Sequence, residues 1–86
     1  MKAYVIKVKM SASKQIKNLP TVTQEKIMIA IENLAYTARP IGVKKLKGTA
    51  STYRIRVGVY RIVYQIIDDE LIIVIIDVDH RKQVYR

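Results

Sequence analysis

The chain has 86 residues, with 16 Lys plus Arg against 7 Asp plus Glu for a net charge of +9, and half of its residues are hydrophobic. A chain of this length buries only roughly 60 to 65 % of its unfolded surface, so it makes one domain over residues 1–86 and excludes a second. It has no cysteine, which excludes a disulfide scaffold and thiolate metal sites and makes a reducing cytoplasm the expected compartment.

Residues 2–9 alternate, Tyr4, Ile6 and Val8 against Lys7 and Lys9, which predicts a half-buried strand. The same lysines interrupt the apolar stretch behind Lys2, so no signal-peptide core is expected. The longest apolar runs fall far short of the roughly 20 residues of a membrane span. Ser11 is placed to cap a short helix carrying Ala12, Ile16 and Leu19 on one face, which Pro20 stops. Thr21 with Gln24 fits a capping box for a second helix. Along it Ile27, Ala30, Ile31, Leu34, Ala35 and Ala38 form one apolar face, and Arg39-Pro40 is the expected end.

Residues 40–51, rich in Lys, Gly and Ser/Thr, read as a loop. Strands are predicted over residues 52–57, 60–67 and 71–78, separated by Gly58-Val59 and Asp68-Asp69. Gly58 in the first central position fits a type II′ turn. The expected fold is α+β, in the order β-α-α-β-β-β: two antiparallel helices packed on one face of a mainly antiparallel four-stranded sheet.

A pI of about 10.0 points to a polyanionic partner. The charge is unevenly placed. No acid lies between Glu32 and Asp68, whereas Arg39, Lys44, Lys45, Lys47, Arg54, Arg56 and Arg61 all do. A turn at Gly58-Val59 sets Arg56 opposite Arg61, sends Arg54, Arg56 and Arg61 to one face, and sends Tyr53, Ile55, Val57, Tyr60, Ile62 and Tyr64 to the helix side. Like charges directly across a sheet are destabilising, so stability alone does not select this arrangement. An anion-binding site explains it better than a merely solvated face.

With the turn at Asp68-Asp69, Ile72, Val74, Ile76, Val78 and His80 continue along the arginine face, and Leu71, Ile73 and Ile75 face the helices. This apolar stripe is either exposed for a partner or half covered by the loop of residues 44–51. The tail, His80-Arg81-Lys82-Gln83-Val84-Tyr85-Arg86, brings a histidine, an arginine and a tyrosine to the mouth of that face. Phosphodiester cleavage needs such a mixture: cations for the charge on the phosphorane oxygens, and titratable groups to move protons. His80 and Tyr85 are the proton-transfer candidates because arginine stays protonated. A solvated bystander is the other reading of His80. No metal site is expected, and Asp77 with Asp79 read as partners of nearby arginines or lysines. Residues 42–48 do not make a P-loop.

Over nearly its whole length the chain resembles the RelE branch of the RelE/ParE toxin superfamily. The matching segments are Lys17-Asn18-Leu19-Pro20, the stretch from Arg39-Pro40 to Lys47-Gly48, Tyr53-Arg54-Ile55-Arg56-Val57-Gly58-Val59-Tyr60-Arg61-Ile62-Val63-Tyr64, and His80-Arg81-Lys82-Gln83-Val84-Tyr85. The resemblance implies the same helical hairpin on an antiparallel sheet. It also implies a cofactor-free ribonuclease that enters the ribosomal A site, against 16S rRNA, and cuts mRNA through its 2′-hydroxyl, leaving a 2′,3′-cyclic phosphate. The family's two basic sheet positions fall on Arg54 and Arg56, its hairpin arginine on Arg61, its C-terminal arginine on Arg81 and its terminal tyrosine on Tyr85.

The best-known members carry lysines at the first two positions, so Arg54 and Arg56 should act here as electrostatic stabilisers, with proton transfer left to His80 and Tyr85. Lys44, Lys45, Lys47, Lys82 and Arg86 are the expected RNA and ribosome contacts. A C-terminal helix of longer relatives is not expected after Tyr85. The resemblance further implies an acidic RelB-like antitoxin encoded nearby, whose complex with the toxin binds operator DNA; no membrane is expected as a partner. Two alternatives stand beside this reading: a ParE-like protein that binds DNA gyrase, and a basic nucleic-acid-binding module without catalysis. Base-stacking modules place aromatics among their cations, whereas this register sends Tyr53, Tyr60 and Tyr64 to the other face.

Overall fold

The computed structural model describes residues 3–80, arranged as β1 Val5–Val8, α1 Met10–Lys17, α2 Thr21–Leu34, β2 Lys44–Lys45, β3 Thr52–Val57, β4 Tyr60–Ile67 and β5 Ile72–His80. One sheet runs in the order β1-β5-β4-β3-β2, with β1 parallel to β5 and the other neighbours antiparallel. The expected layers are present, with five strands in place of four. The extra strand, β2, lies inside the predicted loop, where Lys44 pairs with Arg54 and Lys45 with Tyr53. Two lysines carry no alternation, and the open edge of β3 is what recruits them.

The helix ends differ from the local signals for reasons of tertiary contact. Lys9, not Ser11, is the N-cap of α1, and its N–H donates to the Ile75 carbonyl at 3.0 Å, so the end of β1 is tied to β5 before the helix begins. Thr21 is the first residue of α2 behind an N-cap at Pro20, so the capping box does not form. Gln24 instead reaches back, and its Nε2 donates to the Leu19 carbonyl at 2.8 Å, closing the end of the helical hairpin. Helix α2 stops at Leu34, short of Arg39-Pro40. Beyond it the Ala38 carbonyl accepts the Tyr64 hydroxyl at 2.8 Å, a buried contact that a continuing helical turn would compete for.

The core lies between the helices and one sheet face. Ala12, Ile16, Ile27, Ile31, Leu34 and Ala38 pack against Ile55, Ile62, Tyr64, Ile66, Ile73, Ile75 and Val78. Each fully buried isoleucine there contributes about 1.5–3 kcal/mol relative to exposure. The hairpin between β3 and β4 has the predicted register: Gly58 has φ +60° and Val59 is not among the positive-φ residues, as a type II′ turn requires. The next connection is longer than Asp68-Asp69. A 3₁₀ turn over Asp68–Glu70 leads into Leu71, held left-handed at φ 54°.

The phase of β5 departs from simple alternation. Tyr64 pairs with Ile75 but Val63 pairs with Asp77, so Ile76 is one residue too many and forms a β-bulge. Beyond it, Ile62 faces Val78, Arg61 faces Asp79 and Tyr60 faces His80. Val78 and His80 therefore leave the arginine face predicted for them. Val78 is buried in the core at 2 % exposure, which is the apolar contact the bulge secures.

Candidate functional site

The sheet face turned away from the helices carries a grid of cations. In one row Lys44 on β2 faces Arg54 on β3, which faces Val63; in the next Arg56 faces Arg61, which faces Asp79. Alternation along β3 and β4 puts these arginines on one face, and the tight Gly58 turn holds the two strands in phase. Nothing in the sequence pattern sets Lys44 beside Arg54, because only β2 pairing brings them together. Lys45 faces Tyr53, one register position off that row. Lys47 lies beyond β2 and is exposed.

Arg61 is half-buried. Its Nε is buried and makes no hydrogen bond, while Arg56 stands across on one side and Asp79 on the other. A buried donor in that state is a cost to the fold. A cavity of about 500 Å³ opens beside this edge, where Arg54, Arg56 and Lys44 meet Leu34 of α2 and Ile41.

Asp79 stands opposite Arg61, as a partner of an arginine should, whereas Asp77 is used differently from the expectation. Asp77 accepts from Gln15 Nε2 at 2.7 Å and Asp79 accepts from the His80 N–H at 3.1 Å. Among the described residues the close ion pair joins Arg39 to Asp68, at 2.9 Å. Asp68 also accepts the Tyr4 hydroxyl at 2.6 Å, and Arg39 Nε donates to Tyr53 Oη at 3.2 Å. This network ties β1, the loop after α2 and the turn before β5 together behind the arginine face. The hydrogen bond from Arg39, followed by that from Tyr4, holds the Asp68 carboxyl below its ordinary range, and the Asp68 contact raises Arg39 in turn. Burial pushes the Tyr64 phenol up to about 12.

His80 sits opposite Tyr60, ring against ring at 5.4 Å, in a cleft of about 440 Å³ that Gln15 and Asn18 also line. Its register position is on the helix side and not among the arginines. The structure thus brings together Arg54, Arg56, Arg61 and Lys44, and sets His80 apart. Arg81, Lys82, Tyr85 and Arg86 lie outside the described residues. Tyr53, Tyr60 and Tyr64 pack on or in the core as predicted, with Tyr53 and Tyr64 stacked at 6.1 Å, so they form no stacking platform among the cations. The stripe of Ile72, Val74 and Ile76 is half-buried. β2 adds to the far edge, with β3 and β4 between it and β5, and the loop after it returns to β4, where Gln65 Nε2 donates to Ser51 Oγ at 3.4 Å.

A family profile described as the ParE toxin of type II toxin-antitoxin system, parDE, matches residues 6–85. The chain belongs to this toxin family. It is 31 % identical over 88 residues to toxin RelG of Mycobacterium tuberculosis, covering 96 % of this chain and 97 % of that one. Among solved structures it is similar to the toxin in the archaeal RelE–RelB complex of Pyrococcus horikoshii, with a TM-score of 0.83, 27 % identity and coverage of 92 % and 96 %. The intact RelBE toxin–antitoxin complex of E. coli gives a TM-score of 0.80 at 26 % identity, covering 91 % of this chain and 96 % of that one. The chain is thus the toxin of a type II toxin–antitoxin system, of the RelE-like branch that its sequence resembles.

Proposed function

We propose that this toxin is a ribosome-dependent endoribonuclease that cuts mRNA in the A site. The mRNA 2′-oxygen forms a bond to the adjacent phosphorus as the bond to the 5′-oxygen breaks, which leaves a 2′,3′-cyclic phosphate. The observation that carries this reading is Arg56 facing Arg61, next to the Lys44–Arg54 row, on one sheet face. The phosphorane gathers negative charge on its equatorial oxygens, and guanidiniums fixed on that face stabilise it more than they stabilise the ground-state phosphate. No step in this scheme requires a metal.

Arg54, Arg56 and Arg61 act as electrostatic stabilisers because arginine does not give up its proton. By carry-over from the resemblance, Arg81 adds a further cation and Tyr85 moves protons, taking one from the 2′-hydroxyl or returning one to the 5′-oxygen. With His80 turned towards Tyr60, Tyr85→Phe is expected to slow cleavage more than His80→Gln. Lys45, Lys47, Lys82 and Arg86 are assigned to RNA and ribosome contact in the cytoplasm. Charge complementarity with the +9 chain supports an acidic RelB-like antitoxin as the neutralising partner, whose complex binds operator DNA.

The test is primer extension on mRNA in a purified translation reaction, beside ribosome-free RNA. Cuts within the A-site codon that need the ribosome are expected; an intact message overturns the reading. The match to a profile described as ParE favours one second reading, a gyrase poison. Inhibition of gyrase supercoiling without mRNA cleavage would establish that reading instead.

A further inference from the structure

We infer that Gln15 is a positioning residue whose side-chain amide pins the β5 bulge, so that Asp79 and not Val78 stands opposite Arg61. Gln15 lies on α1, and both ends of its amide are used. Nε2 donates to Asp77 Oδ1 at 2.7 Å, and Oε1 accepts from the Val78 N–H at 2.8 Å. These are the two residues that follow the extra residue, Ile76. Beyond Ile75, where β1 has ended, the outer edge of β5 has no strand to accept from it, and the Val78 N–H is a donor on that edge. Gln15 supplies the missing acceptor and at the same time orients the neighbouring carboxylate.

The alternative arrangement follows from the register. If the pairing of Tyr64 with Ile75 continued one for one, Asp77 would face Ile62, Val78 would face Arg61 and Asp79 would face Tyr60. The arginine face would lose the carboxylate now opposite Arg61, and the His80 ring would leave its place against Tyr60. Gln15 thus acts on the arginine face through β5, without touching it. Burial of Val78 favours the same phase, so the experiment must separate the amide from the hydrophobic contact.

The full-length, isotopically labelled protein is compared with Asp77→Asn, Gln15→Glu, Gln15→Met and the double variant Gln15→Glu/Asp77→Asn. The nuclear Overhauser contacts between the His80 and Tyr60 rings, and across Arg61 and Asp79, report the phase of β5. The single histidine makes the first unambiguous. Asp77→Asn keeps an oxygen for Gln15 and should retain the contacts. Gln15→Glu sets carboxylate against carboxylate and should lose them, while the double variant restores a donor–acceptor pair and should regain them. Gln15→Met removes both hydrogen bonds without adding charge, and it decides the matter if Gln15→Glu does not fold. Contacts retained in Gln15→Met, or not regained in the double variant, overturn the inference.

The consequence for activity rests on the cleavage reading. Ribosomal cleavage should fall by about tenfold in Gln15→Glu and return in the double variant. A wild-type protein that does not cut would defeat that reading and leave the spectroscopic outcome intact.

Discussion

Replacing Arg61 by methionine should stabilise the fold while it disables the site. Methionine keeps an unbranched apolar stem of similar reach, so the packing of the half-buried side chain changes little. What it removes is unfavourable to stability. The Nε is buried without a hydrogen bond, a state that costs about 1–3 kcal/mol. The guanidinium also faces Arg56 directly, and such a cross-strand pair costs roughly 0.2–1 kcal/mol. Against these stands the loss of attraction from Asp79, about 0–1 kcal/mol for a half-exposed pair. The balance is a gain of about 2 kcal/mol, which for a chain of this size raises Tm by about 8–16 °C. Thermal and urea unfolding read the first effect, and primer extension on ribosomes reads the second, a loss of at least about tenfold, or about 1.4 kcal/mol of transition-state stabilisation. A lower Tm for Arg61→Met is the contrary result, because it would mean that favourable contacts hold the guanidinium in place.

Tyr64→Phe leaves the Ala38 carbonyl without its 2.8 Å donor and should cost about 1–3 kcal/mol in urea unfolding at neutral pH. Because the folded phenol is raised from 10.0 to about 12, the unfolded chain loses that proton first, and wild-type stability should fall as the pH rises across this interval. The phenylalanine variant should show a flatter alkaline limb in the same titration. Asp68 has the opposite sign: its folded carboxyl is lowered, so its contribution is full above the ordinary value of 3.8 and is lost as the pH falls through the lowered one. Asp68→Asn should therefore flatten the acid limb below the ordinary carboxyl range, with a steep wild-type limb retained in the variant as the contrary result. In ribosomal cleavage, His80→Gln should remain within about threefold of wild type while Tyr85→Phe falls by at least about tenfold; the reverse order would return proton transfer to His80.

The hairpin that carries the arginines was legible residue by residue. Strands over Thr52–Val57 and Tyr60–Ile67, the Gly58 turn, and the facing of Arg56 by Arg61 all follow from alternation and one glycine with positive φ. The tyrosines were legible for the same reason. Less of the rest was visible. Ser11 and Thr21 carry good capping chemistry, yet Lys9 and Pro20 hold the cap positions, because ties from Lys9 to Ile75 and from Gln24 to Leu19 set where the helices begin. Lys44 was recognised as a cation but not as the neighbour of Arg54, since a two-residue strand has no pattern of its own.

His80 shows the division most sharply. Alternation from Leu71 onward put it among the arginines, and the bulge at Ile76 put it against Tyr60. The two helical faces, the hairpin and the sharing of one face by three arginines follow from the order of residues along the chain, because side-chain direction along a strand or helix is a property of local covalent geometry. The tertiary structure decided the parallel pairing of β1 with β5, the fifth strand at the far edge and the phase of the last strand. Those depend on hydrogen bonds between residues far apart in the chain, such as Gln15 with Asp77, which form only once the sheet and the helices have packed.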